Sequence, residues 1–373
     1  MKVKREMILF ITRKYPPSIG GMEKMSYYLT TTIARRRPAT IIKWGHSQRW
    51  LPIFVLYAFM RALVVLAVRK IELVHLGDAV LAPMGLLLQG ISRKPVALTV
   101  HGLDIVYPNW LYQAVIPACV RRLAMVICVS EHTRQQCLVR GIRAERMTVI
   151  PNGIDADAFC IALAQDEQTY WLHRWGLEAR PKHLLLVVGR LVPRKGTHFL
   201  VSQILPCLRA CRSDWACLIV GDGPERQHVI SAIEAQGLRR ETRLLGQVPD
   251  EELRAAYALA DLFLMPNVSV AGDVEGFGLV ILEARAAGLP VIASSLEGIG
   301  EALVPAEDGL LLPPGNAVAF AQAISQWLDA GLTTEDRVRR QDQVRARYAW
   351  THIGEEYEAA LSRAVAQYSR SQG

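Results

Sequence analysis

Short apolar runs recur along this chain, and each is followed by a longer stretch in which apolar residues return at helical spacing. A run of Val, Ile and Leu with no polar alternation marks a strand buried on both faces. Such strands belong to parallel sheets, whose crossover helices cover them from either side. The candidates in the first half are Met7–Thr12, Leu73–Leu76, Val96–Val100 and Met125–Val129. In the second half they are Leu184–Val188, Ala216–Val220, Thr242–Leu245, Leu262–Met265 and Pro290–Ala293. The alternation predicts an α/β protein. With 51% apolar and 21% charged residues, a disordered or collagen-like chain is excluded.

At 373 residues the chain is too long for one ordinary domain and suits two. The natural boundary lies between Ile154 and Pro181. VIPNGID supplies turn-forming Pro151, Asn152 and Gly153, and a fresh strand–loop–helix unit begins at Leu184. Two doubly wound, Rossmann-like domains are therefore expected in tandem, residues 1–175 and 176–349. In such sheets ligands bind beyond the carboxyl ends of the strands, and for two facing domains the cleft is the expected site.

Charge is unevenly shared. Residues 1–150 carry +15 and residues 151–373 carry −7. A basic half suits an anionic partner such as a membrane surface, a nucleic acid or a phosphorylated ligand. No helix-turn-helix, zinc or aromatic-strand module accompanies the charge, so nucleic acid is not expected. Seven cysteines without a CxxC pair fit reduced structural thiols in a cytoplasmic protein. The opening MKVKREMILFIT lacks the cleavage site of a secretory signal. Leu51–Val68 is long and apolar enough to span a bilayer, but it carries Arg61, which costs about 2.5–3.5 kcal/mol at mid-span. The strand-like Ile71–Leu76 follows at once. The segment therefore reads as a buried helix or as one lying partly in a membrane interface.

Three loops carry candidate chemistry. Gly20–Gly21 stands where the loop after the first strand opens into a helix, so backbone amides there can approach an anion. An ordinary glycine turn has the same signature. In GRLVPRKG (189–196), Arg190 and Lys195 lie five apart beyond a strand, where two cations can neutralise a diphosphate; a solvated basic loop is the alternative. In DVEGFGLVILEARAAG, Glu275 lies in a Gly-rich loop able to meet sugar hydroxyls, and Glu283 lies in the following helix, placed to hold a ribose. A capping and a surface glutamate are the alternative, weakened by the apolar run around Glu283. His46, His75 and His132 do not form a metal set.

Taken in order, these loops together with HGLD (101–104), SEHTRQQ (130–136), VIPNGID (149–155), VGDGPER (220–226), EGIGEAL (297–303), DGLLLPPGN (308–316) and YAWTHIGEEYEAAL resemble glycosyltransferase family 4, with the GT-B fold. GDAVLAP and DVEGFGLVILEA look most like the bacterial branch containing phosphatidylinositol mannoside mannosyltransferases. The resemblance implies two Rossmann-like domains facing across a cleft, with the C-terminal helix of residues 350–373 completing the first.

It also implies the site. Arg190 and Lys195 match the pair that holds the donor diphosphate and stabilises the leaving group. Glu275 matches the ligand of the donor sugar, with amides of Gly276, Phe277, Gly278 and Leu279 beside it, and Glu283 matches the ribose ligand. Gly20 and Gly21 match the N-domain loop near the phosphates, and His101 the histidine near the transferred sugar. Asp78, Asp104 and Tyr107 are acceptor candidates; capping, turn or packing roles serve them equally well. EGIGE departs from the family, which often has two adjacent glycines there, and puts the local loop shape in doubt.

The implied reaction is retaining transfer of a mannose- or glucose-type hexose from a GDP- or UDP-linked donor to a hydroxyl acceptor, lipid-linked or a growing glycan, with no metal and no other cofactor. The basic, apolar first domain points to an anionic lipid or lipid-linked acceptor, with the enzyme cytoplasmic and peripheral at the inner face of the cell membrane. The rivals are a catalytically inactive GT-B scaffold and a sugar-nucleotide epimerase.

Overall fold

A computed structural model of the chain describes residues 6–18, 20–303 and 308–372. It contains two compact units, Met1–Gly153 with Tyr348–Gly373, and Ile154–Arg347.

The first unit is built on strands β1 (Met7–Thr12), β2 (Ala39–Lys43), β3 (Ile71–Leu76), β4 (Val96–Val100), β5 (Met125–Cys128) and β6 (Met147–Val149). All pair in parallel, in the order β2-β1-β3-β4-β5-β6. The order reverses between β1 and β3, which makes the carboxyl ends of those two strands the switch point. Right-handed crossovers then decide which helix lies where. The step from β1 to β2 runs one way, and the steps onward to β3, β4 and β5 run the other. Helix Gly21–Arg36 therefore packs on one face, beside the terminal helix Trp350–Gln372. Helices Leu51–Val68, Ala82–Ser92 and Trp110–Val120 share the opposite face, over Leu9, Ile11, Val74 and Leu76.

The second unit holds β7 (His183–Val188), β8 (Trp215–Val220), β9 (Thr242–Gly246), β10 (Leu262–Met265), β11 (Val291–Ser294) and β12 (Gly309–Leu312), in the order β12-β11-β10-β7-β8-β9. This is the dinucleotide-fold order, with its switch point between β7 and β10. The loops 189–196 and 266–278 leave the carboxyl ends of those two strands.

One expectation needs correction. The domain division falls at Gly153/Ile154, not at 175/176, because helix Gln165–Arg174 packs within the second unit. Arg174 Nε pairs with Glu252 at 3.2 Å, Trp175 Nε1 donates to the same carboxylate at 3.1 Å, and Arg243 donates to Gly176 O at 2.9 Å. The return to the first unit begins at Tyr348; Gly373, the last residue of the expected 350–373 helix, lies outside the described residues. For Leu51–Val68 the structure gives more detail. This segment is a crossover helix, but only the stripe Phe54, Ala58, Ala62 and Val65 is buried, and only 22% of the segment is covered.

Candidate functional site

In the second unit, backbone bonds bring the two switch-point loops together. Val268 N donates to Arg194 O at 3.0 Å. Gly196, at φ 64°, sits so close to Pro266 that an added Cβ would lie 1.9 Å from its carbonyl oxygen. Only glycine meets both demands, the left-handed backbone and the close approach.

The side chains complete the junction. Glu275 accepts from Lys195 Nζ and from Arg194 Nη1 on one oxygen, Oε2. Arg194 Nε also reaches Asp273 Oδ1 at 2.9 Å. These groups are largely enclosed, with Lys195, Arg194 and Glu275 side chains 13%, 18% and 15% exposed. Burial alone would push the Glu275 carboxyl up; Lys195 and Arg194 outweigh it and hold it below its ordinary 4.5. The Glu275 backbone N–H donates to the Glu297 carboxylate. Glu297 itself has φ 50°, a left-handed conformation that favours glycine. EGIGE thus places a left-handed residue here and supplies a carboxylate to the Glu275 N–H.

Arg190 belongs to the same loop, 189–196. Its guanidinium is exposed, and among the described residues it has no ion-pair partner. Phe277 is buried, and Gly278, at φ 80°, starts helix Leu279–Ala286. One turn into that helix, Glu283 Oε2 accepts from the Tyr257 hydroxyl at 2.9 Å. Burial, with the nearby Glu283 charge, keeps that phenol protonated. Gly276 lies in the loop between Glu275 and Phe277, half-buried. The structure thus brings Lys195 and Glu275 together, and it adds Arg194, Asp273, Glu297 and Tyr257, which the sequence reading did not single out. The signal available for Arg194 was its position beside Lys195 in PRK.

In the first unit the candidates also gather at carboxyl ends. Gly20 is the N-cap of helix Gly21–Arg36, but the carboxylate of Glu23 folds back over it. Glu23 is buried, with Lys14 Nζ 3.1 Å from its Oε1. The helix start therefore already has an anionic neighbour. His101, after β4, places Nε2 2.9 Å from Gly77 O, so Nε2 carries the proton in the neutral ring.

Asp104 accepts from His101 N at 2.8 Å and from Ala79 N at 3.0 Å, tying the β4 loop to the β3 loop. Its burial raises its pKa, against the pull of His101. Asp78 is fully buried; it pairs with Arg13 Nε at 2.9 Å and caps the next turn through Val80 N at 3.0 Å. Both aspartates are engaged in shaping their loops. Tyr107 is exposed, edge-on to Tyr112 at 5.4 Å. Among the described residues no group of three or more His, Cys, Asp or Glu side chains is arranged to hold a metal ion.

Comparison with known proteins bears on this geometry. Residues 8–158 match the family described as Glycosyltransferase Family 4, and residues 172–347 match Glycosyl transferases group 1. The GDP-mannose-dependent alpha-(1-6)-phosphatidylinositol monomannoside mannosyltransferase of Mycobacterium tuberculosis is 30% identical over 355 residues, 86% of this chain and 89% of that protein. Its namesake from Mycolicibacterium smegmatis is 28% identical over 349 residues, with the same coverage of 86% and 89%. Among solved structures, Anabaena HepE in complex with UDP superposes with a TM-score of 0.76 at 22% identity, over 96% of this chain and 100% of that one. Sucrose-phosphate synthase from Thermosynechococcus elongatus gives 0.77 at 22%, over 97% and 100%. The two-sheet architecture is that of the GT-B enzymes.

Proposed function

Because the chain belongs to glycosyltransferase family 4, and is a hexosyltransferase by that membership, we propose that it moves a mannose-type hexose from a GDP-linked donor to the hydroxyl of a lipid-linked acceptor, with retention of configuration. The observation that carries this is the cluster at the β7/β10 switch point, where Lys195 and Arg194 hold Glu275, with Arg190 exposed in the same 189–196 loop. A cationic edge beside a fixed carboxylate suits a diphosphate joined to a sugar. Lys195 has three N–H donors and spends one on Glu275, so two remain for phosphate oxygens. Arg190 takes the other side of the diphosphate, Glu275 the sugar hydroxyls and Glu283 the ribose. The Gly276–Leu279 amides line the loop between them.

The chemistry then follows. The bond from the anomeric carbon to the diphosphate breaks as Arg190 and Lys195 take up the developing charge. The acceptor oxygen bonds to the same face of the oxocarbenium-like sugar, and its proton passes to the departing phosphate. Within the first unit, His101 has its Nε2 proton held on Gly77 O, which leaves Nδ1 as an acceptor. The two cations supply the charge for which other transferases use a metal ion. The names of the relatives favour GDP-mannose, and the basic first unit favours an acceptor with an anionic headgroup.

Thermal melts with GDP, UDP, ADP and their hexose conjugates test the donor, since a ligand stabilises in proportion to the logarithm of its concentration over its dissociation constant. NMR of the sugar first released from the stabilising donor tests the stereochemistry. Stabilisation by GDP-mannose and release of the donor's own anomer are expected. Stabilisation by none of them, release of the opposite anomer, or an epimeric nucleotide sugar formed without acceptor would each overturn the assignment.

A further inference from the structure

Apart from Arg61, helix Leu51–Val68 is apolar around its circumference, yet the fold buries one stripe of it. A helix of that composition is ordinarily enclosed by protein or by lipid. Here Ile53, Leu56, Tyr57, Met60 and Val64 point outward, with Leu56 66% exposed. The same holds for its neighbours on the sheet. Helix Ala82–Ser92, which packs against the other two, exposes Leu87 and Ile91, and helix Trp110–Val120 exposes Leu111 and Trp110, the latter by 80%. The three adjacent helices form one apolar face, far beyond scattered single residues.

The charge around this face has one sign. The three helices contain no Asp or Glu, and Arg61 is their one ionised side chain. Each ends in a pair of cations, Arg69–Lys70, Arg93–Lys94 and Arg121–Arg122. Crossover helices between parallel strands all run the same way, so these six cations share one rim of the sheet. Among the described residues none of them has an ion-pair partner, whereas Arg36 and Arg37, at and just beyond the end of the opposite-face helix Gly21–Arg36, pair with Glu355, Glu358 and Glu72. Helix macrodipoles favour cations at C-terminal ends, but they equally favour acids in first turns, and these three helices have none there. An aqueous surface has no use for this combination. A bilayer with anionic headgroups does, because apolar side chains enter the acyl boundary while Lys and Arg meet the phosphates.

We propose that the face formed by helices Leu51–Val68, Ala82–Ser92 and Trp110–Val120 docks this protein on anionic lipid bilayers. Docking by this face does not depend on the identity of the donor or acceptor. The full chain is sedimented with vesicles of phosphatidylcholine alone and of phosphatidylcholine with 30 mol% phosphatidylglycerol, about the composition range over which surface potential changes strongly. Two variants are compared. One carries Arg69, Lys70, Arg93, Lys94, Arg121 and Arg122 as Gln, and the other combines Ile53→Ser, Met60→Ser and Val64→Ser.

The wild type is expected to pellet with the anionic vesicles and to be released by about tenfold more salt. Each variant should lose at least tenfold in affinity while keeping its melting temperature and its rate of donor hydrolysis. Absence of binding to either vesicle, equal binding by wild type and both variants, or a wild-type dimer in solution that the serine variant dissociates would each overturn the proposal. Loss of donor hydrolysis in every protein would instead count against the transferase assignment and leave the vesicle result to stand on its own.

Discussion

Replacing Arg194 with Ala removes the guanidinium that shares Glu275 with Lys195. Two charge-assisted hydrogen bonds go, one to Asp273 and one to Glu275. Bonds of this kind contribute about 1.5–3 kcal/mol, and breaking a fully buried pair costs about 3–5 kcal/mol. Glu275 is 15% exposed and keeps Lys195, so it is not orphaned, and a loss near 2 kcal/mol is expected. For a domain of this size that is a fall of roughly 4–8 °C in melting temperature.

The kinetic effect is separable. With Arg194 gone, Lys195 is the sole counter-ion of Glu275 and is drawn away from the diphosphate, so kcat/KM for the donor should fall at least tenfold, about 1.4 kcal/mol. Arg194→Lys restores the charge but not the fork that spans Asp273 and Glu275, and should recover part of the loss. Initial rates of donor hydrolysis, read beside the melts, decide the matter. A variant with kcat/KM within twofold of wild type, whatever its melting temperature, would refute the claim that Arg194 frees Lys195 for phosphate.

Other outcomes follow from the same structure. His75, buried against Thr99 at 3.0 Å, has its pKa pushed down to about 3 by burial, with His101 adding to the effect. The unfolded chain therefore binds the extra proton between pH 6.5 and about 3, and stability should fall with decreasing pH across that window by up to about 1.4 kcal/mol per unit. His75→Gln should flatten that part of a urea-melt series. The depressed Glu275 pKa works in the same direction at lower pH, its contribution being complete above 4.5 and lost as pH falls through the lower folded value. Glu275→Gln should remove that portion of the acid dependence. Gly196→Ala drives a Cβ into Pro266 O at a left-handed φ, and should cost more than about 1 kcal/mol, seen as a lower melting temperature. Glu297→Gly relieves a strained backbone but takes the acceptor from Glu275 N–H; donor KM should rise severalfold with little change in melting.

The sequence showed most clearly what was buried. All nine expected strands appear within a residue or two of their expected ends, and all but the edge strand β9 lie inside their sheets. The three not anticipated, β2, β6 and β12, are sheet edges, where half-exposed residues such as Ala39, Met147 and Leu310 interrupt the apolar run. The boundary was misplaced because residues 154–175 form no strand, and side-chain contacts such as those of Arg174 and Trp175 with Glu252 reveal their unit. Motif spacing could set Lys195 and Glu275 at neighbouring strand ends, since the switch-point rule brings β7 and β10 together. It could not show that Arg194 shares the Glu275 carboxylate, nor that Asp78 and Asp104 are consumed in capping loops, because those depend on side-chain direction.

The cationic hold on the leaving group is tested most directly by Arg190→Ala, at a side chain that touches no carboxylate among the described residues and whose loss should leave the fold intact. Measured as kcat for donor turnover at saturating nucleotide sugar, the variant should fall about 10²–10³-fold, the 2.7–4 kcal/mol that one charge-stabilising donor is worth in a transition state. A kcat equal to that of the wild type would contradict it.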